Sequence, residues 1–380
     1  WSHVGLQAPS RVPDPSTREL PAEMTGADID AVIEGFRRAA AIAVAADADG
    51  VELDAGPTAL LRQFLSGLTN HRVDEYGADR LLLLREVLTA VREELGTKRI
   101  VALRLSCDEN APWAGITPDA AAVWARDLAP HLDLLTVVRG GLYTPETYRP
   151  GAHTPETFND ELCRGISEAV DGAVPVVLQG SVVDPARAAR ALDGTCDMVE
   201  MTRAQIADPD LVRSIRDGRE PRPCVRCNQA CLVRDFRNPI VGCIGNAEAG
   251  HETRPPVRPT RATRDVMVVG GGPAGLEAAR VLAERGHRVV VIEREERVGG
   301  MLHLISVGQG RADFAALGGW LESRCRALDV EIRTGSETVD TDIESQSQPV
   351  SQWCWRPVES PGLRGFRSWM RVGMSRRPRR

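Results

Sequence analysis

The chain has 380 residues with 42% hydrophobic and 26% charged content, the balance of an ordinary globular protein of two or three domains. Its formal net charge of −6 excludes the basic surface typical of nucleic-acid-binding proteins, and no apolar run is long enough to span a bilayer. We therefore expect neither nucleic acid nor a membrane as a partner. No secretory signal pattern is present, so we expect a cytoplasmic protein with reduced thiols.

The predicted elements begin after a proline-containing stretch over residues 1–24, which we interpret as a loop. Thr25 and Asp28 have the spacing of a helix N-cap followed by an acid three residues later. The run from Ile29 to Ala46 carries apolar residues at helical spacing, and Gly50–Leu53 is typical of a strand.

The same unit of helix and strand then repeats. Helices are predicted at 80–95, 118–128, 158–170 and 185–192, and strands follow them at 100–105, 132–138, 174–178 and 198–201. Strands that alternate with helices of this length predict an α/β protein with a parallel sheet. A closed (β/α)8 TIM barrel has eight strands, so the five found here indicate either its C-terminal part or an open sheet.

Four cysteines follow this pattern at the spacing C-x2-C-x3-C-x11-C: Cys224, Cys227, Cys231 and Cys243. Such a compact set predicts one [4Fe–4S] cluster, which is held by four thiolates. Zinc also accepts four thiolates and stays an alternative, although its sites usually pair two C-x2-C knuckles. Disulfides are not expected in a cytosolic chain.

A second α/β pattern follows a linker rich in Pro, Arg and Thr. Gly270, Gly272 and Gly275 form a G-x-G-x-x-G turn between a strand and a helix, and the next strand ends at Glu293. These glycines let the backbone approach a pyrophosphate at the helix N-terminus, while Glu293 can accept a hydrogen bond from a ribose hydroxyl. Gly300 adds a second close-approach turn. The pattern predicts a Rossmann-like FAD or NAD(P) site.

The two ends of the chain indicate an incomplete protein. The sequence begins with Trp1, and residues 340–380 are rich in Ser, Gln, Trp, Arg and Pro without apolar periodicity. We interpret this stretch as an atypical, disordered tail that arises from a frameshifted or miscalled end, with a genuine basic interaction arm as the alternative. The predicted organisation is a partial βα barrel at 1–219, a cluster segment at 220–250, a linker at 251–264, a partial dinucleotide-binding domain at 265–339 and the tail.

The motifs together resemble the multidomain old yellow enzyme family. The resemblance rests on the cysteine set, on the V-V-G-G-G-P-A-G-L-E-A-A run, and on the pieces Gln63–Ser66, Asp74–Gly77, Arg104–Ser106 and Ala207–Asp210. The resemblance covers about residues 18–335. The sequence has no counterparts of the family's first three barrel strands or of its nicotinamide domain. The resemblance implies FMN, a [4Fe–4S] cluster, FAD, and NAD(P)H as the electron donor, with a small activated C=C compound as the substrate.

The resemblance also assigns roles to individual residues. Arg104 would lie near the flavin ring, where a cation stabilises the negative charge of reduced flavin. Gly180, Ser181, Thr202 and Arg203 would hold the FMN phosphate, since barrels bind phosphate in the loops after their last two strands. Arg104 could instead be a buried structural arginine, and Arg203 a surface charge.

The chain departs from the family pattern at the substrate site. Asp54 and Pro57 stand where ene reductases carry a His-x-x-His or His-x-x-Asn pair, and Ala59 stands where some members carry a proton-donating tyrosine. Tyr143 is then our candidate proton donor, with His153 as a weaker one and rim packing as the alternative for Tyr143. Asp54 could bind a cationic substrate, as in an amine dehydrogenase, or cap a loop.

The leading hypothesis is therefore a fragment of a flavin- and iron–sulfur-dependent oxidoreductase. Two rivals stay open: a non-catalytic product of a broken gene, and a zinc-bound scaffold without redox chemistry. The sequence leaves a homo-oligomer open as well.

Overall fold

The computed structural model describes residues 5–15, 17–232 and 239–336, together with the backbone of Cys354–Trp355. The chain divides into two compact units, Trp1–Arg203 and Ala204–Arg380. Apart from residues 354 and 355, the predicted tail lies outside the described residues. Among the described helices, none combines the length and the apolar character that crossing a bilayer demands.

The first unit contains the predicted parallel sheet. Its five strands are paired in sequence order, and each strand is parallel to the next. The strands of this unit are β1 (Gln7–Ala8), β2 (Ala22–Glu23), β3 (Gly50–Ala55), β4 (Ile100–Ser106), β5 (Leu134–Val138), β6 (Val176–Leu178) and β7 (Met198–Val199), of which β1 and β2 form a separate short pair. The prediction of an α/β fold with five successive parallel strands is confirmed.

Helices connect these strands and cover the sheet. They are α1 (Gly26–Ala45), α2 (Leu60–Leu65), α3 (Glu75–Ala78), α4 (Leu82–Leu95), α5 (Pro118–Leu128), α6 (Pro145–Tyr148), α7 (Asp160–Val170), α8 (Pro185–Leu192) and α9 (Thr202–Ala207), with a 3₁₀ turn at Ala129–His131. The predicted capping box begins α1, because the Thr25 hydroxyl accepts from the Asp28 N–H and the Asp28 carboxylate accepts from the Thr25 N–H.

The strand register places polar groups of neighbouring strands side by side. Asp54 of β3 is the partner of Arg104 of β4, and Arg104 is the partner of Thr136 of β5. Around this polar row the strands are apolar, and Leu103, Leu105 and the other core positions of β4 are fully buried. Such burial on both faces is usual for a parallel sheet covered by helices.

The second unit contains a smaller parallel sheet in the order β10-β9-β8-β11. Its elements are α10 (Leu211–Arg216), β8 (Asp265–Val269), α11 (Pro273–Glu284), β9 (Arg288–Ile292), α12 (Met301–Ser306), α13 (Asp313–Ala327), β10 (Glu331–Arg333) and β11 (Cys354–Trp355). The predicted order of strand, glycine turn, helix and strand is confirmed. Leu276, Val291, Leu317 and Trp320 are among the buried residues that fix α11 and α13 against this sheet.

A buried ion pair fixes α2 to the loop after β4. The Arg62 guanidinium lies 2.6 Å from Glu109, and the two side chains are 0% and 1% exposed. Glu109 also accepts hydrogen bonds from the Ser66 hydroxyl, at 2.5 Å, and from the Ile116 N–H, at 2.9 Å. Losing one partner of such a pair leaves a buried charge without compensation.

We expect Glu109→Gln to lower the free energy of unfolding of the first unit by about 3–5 kcal/mol, the usual cost of breaking a buried ion pair. Glu93→Gln is the matched control, because Glu93 pairs with Arg37 at 3.1 Å on the exposed surface and should change stability little. Urea unfolding followed by circular dichroism measures both variants. Equal midpoints for the two would show that the buried pair does not stabilise the unit.

Candidate active site and cysteine segment

Arg104 is the centre of a charged network at the carboxyl end of the sheet. One nitrogen of its guanidinium, Nη2, lies 2.7 Å from Glu200 and 3.2 Å from Glu52. Glu52 in turn accepts a hydrogen bond from the Thr136 hydroxyl at 3.0 Å. Burial opposes the charged form of the guanidinium, but the carboxylates of Glu200 and Glu52 outweigh it and raise the pKa of Arg104. The side chain is therefore a permanent cation fixed at the strand ends.

Besides Oε2 of Glu200, which faces Arg104 in the ion pair, two buried polar atoms at this network have no hydrogen-bond partner among the described residues. They are Nη1 of Arg104, which is a donor, and Oε1 of Gln179, which is an acceptor. Gln179 directly follows β6. Buried polar groups are normally paired, so each such atom requires an explanation. A flavin pyrimidine ring offers an acceptor at N1/C2=O for an arginine and a donor at N3 for an amide oxygen. The residues present therefore fit the flavin that the sequence predicts.

The predicted phosphate loop lies after β6 and β7. Gly180 and Ser181 have φ values of 147° and 56°, and a Cβ at Gly180 would lie 2.9 Å from the Phe158 ring. Successive residues in such conformations turn their N–H groups into a concavity that binds anions. The Arg203 guanidinium donates to the Ser181 hydroxyl and to the Pro150 carbonyl, each at 2.8 Å. The structure thus brings Gly180, Ser181 and Arg203 together.

Thr202 connects this loop to the charged network. Its hydroxyl donates to Glu200 at 2.7 Å, while the other carboxylate oxygen of Glu200 faces Arg104. Glu200 therefore joins the two parts of the predicted FMN site. Sequence reasoning did not identify Glu200, because nothing in its local pattern indicates that it pairs with a residue almost a hundred positions earlier.

The two predicted catalytic residues lie at the same end of the sheet but in different surroundings. Asp54 is exposed, and one oxygen of its carboxylate accepts the Gly56 N–H at 2.7 Å, as a loop cap does. The Tyr143 side chain is exposed, at 45% of its area. The alternative of a loop cap for Asp54 therefore agrees with the structure, and the catalytic role of either residue stays a prediction.

Tyr148, which sequence reasoning missed, is the tyrosine that shares the surroundings of Arg104. It is half-buried at the end of α6, and its carbonyl accepts from the Gln179 amide at 3.2 Å. Burial raises the pKa of its hydroxyl; Arg104 acts against this rise, whereas Glu200 and Asp54 add to it. Tyr143 and Tyr148 follow the same strand, so the sequence offered no signal that ranks one above the other.

The cysteine segment belongs to the second unit. All four predicted ligands are half-buried, and Val225 between the first two is buried in the core of that unit. Arg226 and Asn228, which flank Cys227, have φ values of 49° and 52°. Left-handed residues between right-handed ones form the N–H concavities found at many iron–sulfur sites.

A backbone hydrogen bond joins the residues that precede the fourth and the third cysteine. The Gly242 N–H donates to the Ala230 carbonyl at 2.9 Å, and these two residues directly precede Cys243 and Cys231. Among the residues that the structure describes, no three His, Cys, Asp or Glu side chains converge as a single metal ion requires. In a cluster each thiolate binds a separate iron, so the four sulfur atoms lie farther apart than the four sulfur atoms around one zinc ion. The ligand role of the four cysteines stays a prediction.

Two arginines attach this segment to α13 of the same unit. Arg226 pairs with Asp313 at 2.9 Å. Arg222 stacks on the Trp320 ring at 4.3 Å and donates to the Gly245 carbonyl at 2.5 Å. Burial lowers the pKa of Arg222, while Glu277 at 3.7 Å counteracts that effect. The segment is thus fixed by charge and stacking as well as by apolar packing.

The glycine turn has the geometry that a pyrophosphate site needs. Gly270 has a φ of 99°, Gly272 is the N-cap of α11, and Gly275 faces Gly270 so closely that a Cβ would collide with its carbonyl oxygen. Gly300, with a φ of 49°, lies against Gly272. Glu293 accepts the Gly271 N–H at 2.6 Å. Glu293 therefore supports the turn directly, and its predicted bond to a ribose is not tested.

Comparisons with known proteins cover both units. The model of the NADH:flavin oxidoreductase / NADH oxidase family matches residues 2–222, and a NAD(P)-binding Rossmann-like domain matches residues 268–323. The chain is 35% identical over 347 residues to a metal reductase of Desulforamulus reducens, which covers 90% of this chain and 52% of that relative.

Two further comparisons also cover both units of the chain. An N,N-dimethylglycine/sarcosine dehydrogenase of Chromohalobacter salexigens is 35% identical over 359 residues, covering 89% of this chain and 50% of the relative. The solved structure of a 2-naphthoyl-CoA reductase with 2-naphthoyl-CoA superposes with a TM-score of 0.84 at 28% identity, covering 90% of this chain and 53% of the other. The chain spans about half the length of the relatives it matches.

We expect Gly275→Ala to destabilise the second unit by about 1–3 kcal/mol, because the added methyl group must displace the Gly270 carbonyl. Gly272→Ala is the control in the same turn, since its φ is −72° and a Cβ there meets nothing within 4 Å. That control should leave stability unchanged or raise it slightly. Thermal unfolding of both variants checks the expectation, and equal losses of stability would contradict it.

Proposed function

The chain belongs to the NADH:flavin oxidoreductase / NADH oxidase family, to which old yellow enzyme gives its name, and on that premise we propose that it transfers electrons from NAD(P)H through bound flavin to a small-molecule substrate. The observation that carries the proposal is the cation of Arg104 at the carboxyl end of the sheet, whose buried Nη1 has no hydrogen-bond partner within the described part of the chain. Ligands of parallel α/β sheets bind at this end.

Five residues of the first unit would hold FMN. Arg104 would donate to the flavin ring, and Gly180, Ser181, Thr202 and Arg203 would surround the phosphate. A fixed cation beside N1/C2=O favours the reduced flavin, because that form carries negative charge there. Glu52 and Glu200 hold the cation in place, so the protein orients it before any ligand arrives.

The second unit would supply the remaining electron carriers. We propose that Cys224, Cys227, Cys231 and Cys243 hold a [4Fe–4S] cluster, and that the glycine turn from Gly270 to Gly275 holds the pyrophosphate of FAD. When bound, these groups carry electrons from NAD(P)H by way of FAD and the cluster to FMN, which reduces an activated C=C compound. The left-handed residues around Cys227 and the return of Gly242 to Ala230 support the cluster.

Amine oxidation is a second candidate, and Asp54 is the observation that favours it. Its carboxylate is exposed at the strand ends and uses one oxygen on Gly56, so the other oxygen can face a cation. A relative of this chain is named as an N,N-dimethylglycine/sarcosine dehydrogenase. Anaerobic incubation with 2-cyclohexenone under NADH, and separately with sarcosine, distinguishes the two candidates by the product formed.

The first test is anaerobic purification followed by an absorbance spectrum and by iron, sulfide and zinc analysis. We expect flavin bands, a broad iron–sulfur band near roughly 400 nm and about four irons per chain. Iron without flavin would indicate a cluster-bearing chain that cannot turn over. Zinc, or no metal, would overturn the cluster.

We expect Cys243→Ala to remove the broad iron–sulfur band and to lower the iron content well below four atoms per chain, because a cubane cluster needs four thiolates. Cys325→Ala is the control, since Cys325 lies in the same unit outside the set and is fully buried in the core. Iron analysis of the two variants beside the unchanged protein measures the effect. Full iron content in Cys243→Ala would exclude Cys243 as a ligand.

We expect Arg104→Lys to weaken FMN binding about ten- to a hundredfold, since lysine keeps the charge between the carboxylates but loses the nitrogen that has no partner among the described residues. Arg99→Lys, at the residue that directly precedes the same strand, is the control. Titration of the flavin-free protein with FMN, followed by flavin fluorescence, gives both dissociation constants. Unchanged affinity in Arg104→Lys would remove this arginine from the flavin site.

A further inference from the structure

We propose that Tyr148 is the catalytic proton donor of this site, delivering its hydroxyl proton to the substrate carbon that does not receive the hydride. The inference rests on the proposed function and deepens it. Reduction of an activated C=C needs one hydride and one proton. In the proposed function reduced flavin would supply the hydride, and the proton must come from a group at the strand ends.

The position of Tyr148 is fixed by three contacts of its short segment. The Gln179 amide donates to the Tyr148 carbonyl at 3.2 Å. Two residues later, the Pro150 carbonyl accepts from the Ser181 hydroxyl at 3.2 Å and from Arg203 at 2.8 Å. Residues 148–150 are therefore attached to the loops after β6 and β7, which are the loops predicted to hold FMN.

The ring of Tyr148 is held as well. The guanidinium of Arg149 lies over it at 5.5 Å, a distance at which a cation is attracted to an aromatic face. The hydroxyl has no hydrogen-bond partner among the described residues, so its O–H is available to a ligand. A half-buried phenol in a fixed position with an unused donor has the geometry of a general acid.

The other polar groups at this end of the sheet are used in different ways. Glu52 and Glu200 face Arg104, and their oxygens accept from Thr136 and Thr202. Asp54 accepts the Gly56 N–H. These carboxylates act as acceptors, whereas a proton donor must carry a hydrogen. The charged groups that act on the Tyr148 hydroxyl are Arg104, Glu200, Asp54 and Arg149, and burial, which raises its pKa, disfavours the phenolate.

The step balances in atoms and electrons. The π bond of the substrate breaks, and two C–H bonds form, one with the hydride and one with the phenol proton. The O–H bond of Tyr148 breaks and leaves a phenolate, which Arg104 and Arg149 stabilise. Water then returns a proton to the phenolate, so the residue is regenerated without another reactant.

The test compares Tyr148→Phe with Tyr76→Phe in the full chain. Tyr76 is a suitable control because its hydroxyl donates to Glu86 and its ring packs on Phe64, away from the strand ends. The flavin is first reduced anaerobically, and its reoxidation is followed with two acceptors. 2-Cyclohexenone needs a proton on carbon, whereas ferricyanide takes electrons alone.

We expect Tyr148→Phe to slow reoxidation by 2-cyclohexenone about 10²–10⁴-fold and to leave reoxidation by ferricyanide unchanged. Tyr76→Phe should leave both rates unchanged. Unchanged cyclohexenone reduction in Tyr148→Phe, equal slowing with both acceptors, or a loss found in Tyr143→Phe instead would each overturn the inference. If the unchanged protein reduces ferricyanide but not 2-cyclohexenone, the proposed substrate class is wrong. The proton-donor role of Tyr148 is then wrong as well, because it depends on that substrate class.

A second measurement needs no turnover. The chain has three tyrosines, so an alkaline difference titration at about 295 nm can assign each phenol by comparing the variants. Tyr148→Phe should remove a phenol that ionises above the range of an exposed tyrosine, and Tyr76→Phe should remove another whose pKa is raised to about 12. If the phenol lost in Tyr148→Phe ionises like an exposed one, the hydroxyl is not held in the site and the inference fails.

Discussion

The ion pairs of Arg104 are the interaction on which the proposed flavin site of the first unit depends. A guanidinium that is 15% exposed would be costly to bury alone, and Glu200 and Glu52 compensate its charge. Only one of the two terminal nitrogens is used in this way. The carboxylates stabilise the buried cation, and the other terminal nitrogen, Nη1, has no hydrogen-bond partner among the described residues. Glu200 extends the arrangement to Thr202, so the ring end and the phosphate end of the proposed flavin site are connected through one side chain.

The second unit joins two kinds of site in one core. The cysteine segment contributes Val225 to the same apolar cluster that contains Leu276 of the dinucleotide helix. Arg226 reaches Asp313 at the start of α13, and Gly245 lies against Leu317 of the same helix. These contacts attach the cysteine segment to the helices that follow the glycine turn. For the proposed cluster and dinucleotide, such an attachment would keep the distance between the two carriers constant.

Sequence patterns predicted the elements whose signals are local. The strand run around Leu103 and the glycine turn at Gly275 depend on periodicity or on backbone sterics over a few residues, and both are confirmed. The pairing of Arg104 with Glu200 is different, because it joins the ends of two strands that are far apart in the chain. Tyr148 could not be separated from Tyr143 for the same reason: what distinguishes them is the Gln179 contact after the next strand. Glu293 was recognised correctly as the acid after the second strand, but its bond to the turn itself follows only from the folded backbone.

The stacking of Arg222 on Trp320 has a practical consequence for following this protein in solution. Among the described tryptophans, Trp113 is 76% exposed, whereas Trp320 is 6% exposed and donates its indole N–H to the Glu220 carbonyl. An indole in such surroundings emits at shorter wavelengths than one in water, and its emission depends on the guanidinium above it. Because Arg222 and Glu220 both precede the first cysteine by a few residues, detachment of the cysteine segment from α13 would expose Trp320 to water and shift the emission of this indole to longer wavelengths.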